Sequence, residues 1–565
     1  MNNYFDIIKF KNSKRKKTKK KINVKYLFNF NSFQFQDFLE YNCYLKNITI
    51  NSLKSEYDQI YQQIKSIKKN VKIDLLIVAN DFNSFDFDKD QNIKLYFEQI
   101  TQQINQLNIL KKQHSKLEII YFNFPKFYYQ VHNYENVIKV NMEIARFNLI
   151  LKKKLSENKI YLFDYNHIVL VFGQKNFYCQ KNFFLSKSLI SENGSNYLSK
   201  ELSKLIRSIF FVRKKCLVLD LDNTLWGGIL GEDGIHGIKV ANSFEGEKFL
   251  NFQKYIKKLK SIGVILAISS KNNLEDVKEC FRKNDQLFLT LQDFSIIKAN
   301  WQPKYQNINQ ISKELNIGED SMVFMDDSKF EREQMKKYNP DISVIETPLD
   351  PSLYIDAVDD TGFFYLNTQP TKEDAEKQNQ YKIIQKAEIL KKSLNTDDNY
   401  LKQLNMILTI HKVNNVNFSR CVQMLNKTNQ FNFTTQRYTE SSFEKYLDNP
   451  KVKTLVISLS DKFGNHGITG LLTAKIIKDS LVIENFLMSC RILGRKVEDQ
   501  IIYEALNIAK KNKLKFLIGC YIKTKKNIQC KNFYSDRKFK KKTSQKYVLS
   551  LKDSNLKKLS IFKIY

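Results

Sequence analysis

The sequence predicts an α/β protein of three successive units, and three observations carry that prediction. Short runs rich in Ile, Val, Leu and Phe alternate with longer helical patterns from the start of the chain to beyond its middle. In the central stretch such runs end in Asp or Ser, residue types suited to the carboxyl edge of an open parallel sheet, where ligands bind. Toward the end, β-rich runs lie next to one another before a helix, the pattern of an α+β unit. At 565 residues and 66.9 kDa the chain is too long for one hydrophobic core, and with 42% hydrophobic residues it can fill several.

In the first unit, residues 1–208, the runs 24–30, 73–80, 117–124 and 160–164 read as buried parallel strands, and 56–69, 94–113 and 137–154 as the helices between them. Asp164-Tyr165-Asn166-His167 has the Asp-x-x-His spacing of SGNH-hydrolase-like folds. No Gly-Asp-Ser block precedes it, and Asn29-Phe30-Asn31-Ser32 is a poor substitute. The unit therefore reads as a degenerate SGNH-like domain, with a loop aspartate and a surface histidine.

The second unit, residues 209–372, opens with the apolar strand 216–219, which ends in Asp220, Leu221, Asp222, Asn223 and Thr224 and runs at once into Trp226 and a glycine cluster. Carboxylates two apart at a strand end suit Mg²⁺-assisted phosphoryl chemistry, because Mg²⁺ needs few carboxylates beside water and phosphate oxygens. A second strand, 264–268, ends in Ser269-Ser270-Lys271-Asn272. Pro303 suits a first helical turn and places Lys304 at a helix start, and a third strand, 322–325, ends in Asp326-Asp327. In the third unit, residues 373–565, the runs 454–459, 468–477 and 481–488 read as neighbouring strands, 497–511 as a helix and 514–521 as a further strand. His466 reads as a turn histidine.

Composition excludes several classes. The chain carries 92 Lys and Arg against 59 acidic residues, a net charge of +33, yet only 16 Gly, 7 Pro and 2 Trp. Lys, Asn, Ile, Phe and Tyr are enriched together, as an A/T-rich coding bias produces, and apart from a block at 9–21 the charge is spread along the chain. Nucleic acid is therefore disfavoured as a partner. The eight cysteines form no Cys-x-x-Cys and the six histidines no metal-ligand spacing, which points to reduced thiols and a cytoplasmic protein. No apolar run approaches a membrane span. Against this background the clustering of Gly227, Gly228, Gly231, Gly234 and Gly237 around Trp226, and of Gly464, Gly467 and Gly470, marks places where backbone freedom or a ring is needed.

The order Asp-x-Asp-x-Thr, strand-end Ser, Lys and strand-end Asp-Asp resembles the haloacid dehalogenase-like phosphatase superfamily. Leu219 to Gly228 with Gly231-Glu232-Asp233-Gly234, then Asn300-Trp301-Gln302-Pro303-Lys304, then Phe324 to Asp327 with Phe330-Glu331-Arg332-Glu333, are similar to its FkbH-like branch. So are Asn426 to Asn432, Asp461-Lys462-Phe463-Gly464 and Met488 to Arg495. The resemblance implies a glyceryl transferase/phosphatase of polyketide biosynthesis that takes 1,3-bisphosphoglycerate, removes its 3-phosphate and loads a glyceryl thioester onto an acyl carrier protein, with Mg²⁺ as cofactor.

By that resemblance Asp220 is the nucleophile and Asp222 the general acid. Ser270 and Lys304 bind the phosphoryl oxygens, and Asp220, Asp222, Asp326 and Asp327 form the metal set. Only a Gly-rich flap and one helix fit between Thr224 and Ser270, so the site should be open, which suits a carrier-protein arm and equally a nucleic-acid 3′-phosphate. Cys490, beside Arg491 and Arg495, is the candidate thiol for the acyl step. A buried core cysteine, or direct transfer to the carrier thiol, explains it as well. Arg491, Gly494 and Arg495 lie where a GNAT-like fold presents backbone N–H groups to a pantetheine arm. Lys496, in place of a small residue, and the lack of a glycine before Phe533-Tyr534 depart from the coenzyme A pattern. A nucleic-acid-end phosphatase and a non-catalytic scaffold remain the alternatives.

Overall fold

The computed structural model describes residues 4–13, 18–56, 58–67, 72–81, 90–114, 116–126, 134–241, 243–367, 397–489, 492–524, 527–554 and 556–565. Residues Met1–Arg213 and Leu353–Gln369 form one compact unit, and Lys214–Ser352 and Pro370–Tyr565 another.

The first unit is built on a parallel sheet of β1 (Lys20–Phe28), β2 (Ile48–Leu53), β3 (Leu75–Ala79), β4 (Glu118–Phe122) and β5 (Tyr161–Phe163), in the order β2-β1-β3-β4-β5. Alternate side chains of β3 serve two cores. Leu75, Ile77 and Ala79 pack with residues of helices α1 (Phe33–Leu45) and α4 (Glu192–Phe210), whereas Leu76 and Val78 pack with α2 (Asp90–Gln113) and α3 (Tyr134–Ser156). A strand buried on both faces reads as an unbroken apolar run, which is why β3 and β4 were visible in the sequence. Edge strand β2 is half exposed, with no such run, and neither it nor α1 and α4 was expected. The segment 353–369 also belongs here. Lys204, buried on α4, pairs with Glu201 at 2.7 Å and Asp359 at 2.6 Å, and the Arg207 guanidinium lies over the Phe363 ring.

The second unit holds two sheets. The central one is parallel, in the order β10-β9-β6-β7-β8, from β6 (Cys216–Leu219), β7 (Ile265–Ser270), β8 (Ile296–Ala299), β9 (Met322–Met325) and β10 (Ser343–Val344). Strand β6 is central and wholly buried, so its carboxyl end opens in the middle of the sheet edge. The following residues form a flap, Leu230–Gly237 (α5), broken at Gly234, and then helix α6 (Phe244–Ser261).

The other sheet has eight strands in the order β16-β17-β15-β14-β13-β12-β11-β18. These are β11 (Met406–His411), β12 (Val452–Asp461), β13 (Gly464–Ile477), β14 (Ser480–Met488), β15 (Phe516–Cys520), β16 (Lys540–Lys541), β17 (Lys546–Ser550) and β18 (Phe562–Ile564). Its pairs are antiparallel except β14 with β15 and β11 with β18. No helix among the described residues is long and apolar enough to cross a membrane.

Candidate active site

Four sequence-predicted residues converge at the carboxyl edge of the central sheet. Asp220 follows β6 and Asp326 and Asp327 follow β9, the strand paired with β6 in register from Cys216↔Met322 to Leu219↔Met325. Candidate ligand oxygens of Asp220, Asp326 and Asp327 all lie within 4.8 Å of one another. Lys304, at the start of helix α7 (Lys304–Leu315), reaches in to place Nζ 2.9 Å from Asp220 Oδ2 and 2.6 Å from Asp326 Oδ2.

One ammonium thus meets two carboxylates, and a third stands beside them. Burial, and next the charge of Asp220, hold the Asp326 carboxyl above the usual carboxylate range, and Asp327 is raised for the same reasons in the same order. Burial works against the Lys304 ammonium, but the charges of Asp220 and then Asp326 outweigh it and raise its pKa above the ordinary lysine value. Asp220 Oδ1 is buried with no hydrogen-bond partner. An orphaned carboxylate oxygen beside an excess of acid calls for a cation, and an all-carboxylate set with an exposed third member fits Mg²⁺, which keeps waters and takes phosphate oxygens.

The surroundings hold these groups in place. The Arg332 guanidinium, on α8 (Lys329–Tyr338), donates to the carbonyl oxygens of Asp326 at 2.8 Å and Asp327 at 2.7 Å, Ser328 N–H donates to Asp326 Oδ1, and Asp327 N–H donates to Thr224 Oγ1. Ser270 is buried at the end of β7, which runs two residues further than the sequence pattern indicated, so Ser269 and Ser270 are strand residues.

Asp222 corrects an expectation. It is absent from the metal cluster, because β6 ends at Leu219 and the chain turns through Asn223 at φ 52° instead of continuing the alternation. Its Oδ1 accepts from Trp226 Nε1 at 2.9 Å and Leu230 N–H at 3.0 Å, and its Oδ2 from Asn272 Nδ2 at 2.8 Å. The glycine cluster gains a reason as well. Gly228 has φ 92°, and a Cβ there would stand 2.4 Å from the Asp233 carboxylate, which accepts from Ile229 N–H.

Of the expected carrier-arm residues, Gly494 and Arg495 lie among the described residues. Cys490 and Arg491 lie outside the described residues. Gly494 stands at φ 79° and Lys496 at φ 59°, before helix α11 (Val497–Lys511), whose first turn carries Glu498 and Asp499. Arg495 is turned inward: it is buried, and its guanidinium donates to Asp461 Oδ2. His466 is no turn residue but wholly buried in β13, with Nε2 2.7 Å from the same Asp461 oxygen, while its Nδ1 has no partner. Burial opposes ionisation of Asp461, but the hydrogen bond and charge of His466 and the charge of Arg495 win and lower its pKa.

Strands β14 and β15 pair only from Ser480↔Phe516 to Ile483↔Gly519. Beyond that, the chain's own residues Phe431–Phe433 lie along β14: Phe433 N–H donates to Phe486 O, Met488 N–H to Phe431 O, and Ile522 N–H to Phe433 O on the other side. The Phe433 and Phe486 rings stack at 5.0 Å.

The SGNH-like expectation in the first unit finds only structural roles. Asp164 caps a short helix by accepting from His167 N–H, His167 is exposed, and Ser32 Oγ accepts from Gln36.

No family model and no curated protein matches the chain. Among solved structures it is similar to the N-terminal part of the protein BF1531 from Bacteroides fragilis, which contains a phosphatase domain and was crystallised with Mg, at 26% identity over 65% of this chain and 100% of that one, with a TM-score of 0.54. Over 26% of the chain there is likeness to the ribosomal-protein-S18-alanine N-acetyltransferase of Escherichia coli, at 9% identity, 94% of that chain and TM-score 0.21. The spermidine N-acetyltransferase of Vibrio cholerae matches over the same share, at 13% identity, 96% of that chain and TM-score 0.22. The site geometry and the Bacteroides structure together make the central sheet a haloacid dehalogenase-like phosphatase domain.

Proposed function

We propose that the protein is an Mg²⁺-dependent glyceryl transferase/phosphatase of the FkbH-like kind, which dephosphorylates a 1,3-bisphosphoglycerate-derived phosphoglyceryl group and loads the glyceryl unit onto an acyl carrier protein. The observation that carries this reading is the acid-rich cluster of Asp220, Asp326 and Asp327 around Lys304, in a chain whose motif strings extend the resemblance past the phosphatase domain.

An Asp220 oxygen attacks phosphorus, the bond to the leaving oxygen breaks, and Asp222 supplies the proton that oxygen needs. Water then takes the phosphoryl group from Asp220 after losing a proton to Asp222. Lys304 and Ser270 bind and orient the phosphoryl oxygens. Mg²⁺, held by Asp220, Asp326 and Asp327, supplies charge neutralisation at those oxygens when bound.

In the acyl step a thiolate attacks C1 of the acyl phosphate and the C–O bond breaks, with phosphate leaving on its electron pair. No ATP is needed because that carboxyl is already activated. The thiolate belongs to the carrier directly, or to Cys490 first. The C-terminal sheet, with parallel β14 and β15 joined through α11, supports an acyltransferase-like reading of that domain. Arg495, proposed to help hold the carrier arm, has its guanidinium oriented by Asp461.

Incubation with freshly generated 1,3-bisphosphoglycerate, Mg²⁺ and a pantetheinylated carrier should raise the carrier's mass by one glyceryl group. No shift with folded enzyme would sink the proposal. Phosphate release from a 3′-phosphorylated oligonucleotide, with salt-sensitive binding, would select a nucleic-acid-end phosphatase instead. Equal turnover by wild type and Asp220→Asn would leave a scaffold.

A further inference from the structure

We infer that Trp226 and Asn272 are positioning residues that, with the flap amide of Leu230, aim Asp222, leaving Oδ2 as the oxygen that exchanges the proton. The inference rests on the phosphatase reading of the site. Its basis is a count of lone pairs. A carboxylate oxygen presents two in-plane acceptor positions. On Asp222, Oδ1 spends both, one on the indole N–H of Trp226 at 2.9 Å and one on the backbone N–H of Leu230 at 3.0 Å. Oδ2 spends one, on Asn272 Nδ2 at 2.8 Å, and keeps the other.

The donors are themselves held. Trp226 is fully buried and packs edge-on to Phe281 with ring centroids 5.8 Å apart, so its N–H cannot swing away. Asn272 is buried as well, and its Nδ2 also lies 3.1 Å from Ser270 Oγ, which ties the orientation of the proposed acid to that of a proposed phosphate-binding hydroxyl. Leu230 opens the flap. The neck of that flap is closed by paired hydrogen bonds between Gly227 and Lys239, and Gly228 N–H donates to Asn223 Oδ1. The chain has two tryptophans, and the exposed one, Trp301, has no such bond, so burial of Trp226 beside the acid is a specific use of a scarce residue.

When the bond from phosphorus to the leaving oxygen breaks, the electron pair stays on that oxygen and the proton comes from Oδ2. In the hydrolytic half the proton of water returns to Oδ2 as its oxygen bonds phosphorus and the Asp220–phosphorus bond breaks. A leaving group that is stable as an anion does not need that proton, whereas an alkoxide does.

The test compares wild type and Trp226→Phe on p-nitrophenyl phosphate and on ethyl phosphate, together with the indole N–H region of the NMR spectrum, where two tryptophans give two signals. Trp226→Phe should lower the single-turnover rate of ester cleavage about 10²-fold on ethyl phosphate, the lower end of what an acid contributes, and about 3-fold or less on the aryl ester, with the half-saturating ester concentration unchanged on both. The remaining assignment is direct: Asp222→Asn should move the Trp226 indole signal and leave that of Trp301 in place. Equal losses on the two esters would show a merely structural tryptophan and overturn the inference, as would an indole signal indifferent to Asp222→Asn. A wild type that releases phosphate from neither ester counts against the phosphatase reading, and the indole spectrum then decides the positioning claim alone.

Discussion

The acid cluster at the central sheet and the Asp461 cluster of the eight-stranded sheet both bring carboxylates against cations, and they differ in how the charges balance. At the carboxyl edge of the central sheet, three acids share one ammonium that contacts two of them, one carboxylate oxygen is orphaned, and Asp326 is held above the usual carboxylate range by burial and by Asp220. In the eight-stranded sheet, the single acid Asp461 stands between a guanidinium and an imidazole, accepts from the N–H groups of Phe463 and Gly464 as well, and is held below that range. The first arrangement is costly to keep without a cation and suits a site that takes one. The second is close to neutral and self-contained, and it pins the β12–β13 turn to the loop before α11. Charge imbalance, rather than burial or the presence of acids, separates a site for chemistry from a structural lock.

The largest effect should come from breaking the lock. Arg495→Ala leaves the buried Asp461 without its guanidinium and should cost about 3–5 kcal/mol in urea unfolding, whereas a change below about 1 kcal/mol would mean the pair contributes no more than a surface bridge. Filling the open cluster comes next. Mg²⁺ at a hundredfold excess over its Kd should stabilise the protein by about 2.7 kcal/mol, and Asp326→Asn should remove most of that gain in a thermal melt. In the absence of Mg²⁺ the sign should reverse. Asp326→Asn should raise stability by about 1 kcal/mol, as relief of functional-site strain commonly does, and a loss would show that the acids there are already balanced.

The smallest effect concerns pH. Asp461 has a folded-state pKa below its unfolded value, so its contribution is present above that unfolded value, about 3.9, and is lost as pH falls through the lower folded one. The stability difference between wild type and Asp461→Asn should therefore shrink in acid, and a difference constant from neutral pH down would contradict the assignment.

The same contrast explains what could be read in the sequence. Asp220, Lys304 and Asp326 were legible because each follows a recognisable strand or opens a helix, and a parallel sheet brings strand ends together by topology alone. The partnership of Arg495 was not legible, since Asp461 lies 34 residues away and only the packing of a turn against a loop joins them. That the Asp222 side chain stands apart from the other acids was not legible, since its tie to Trp226 four residues on depends on the turn at Asn223. Elements of the first unit that are half exposed, such as β2, lack the apolar run that marked β3 and β4.

The central claim, that the unbalanced cluster is a metal-dependent phosphoryl-transfer centre with Asp220 as nucleophile, is tested most directly by inorganic phosphate release from a phosphomonoester by wild type and Asp220→Asn, each with Mg²⁺ and with chelator. Wild type should turn over only with Mg²⁺, and the folded variant should lose at least about 10³-fold. Mg²⁺-independent turnover, or turnover that survives Asp220→Asn, would contradict it.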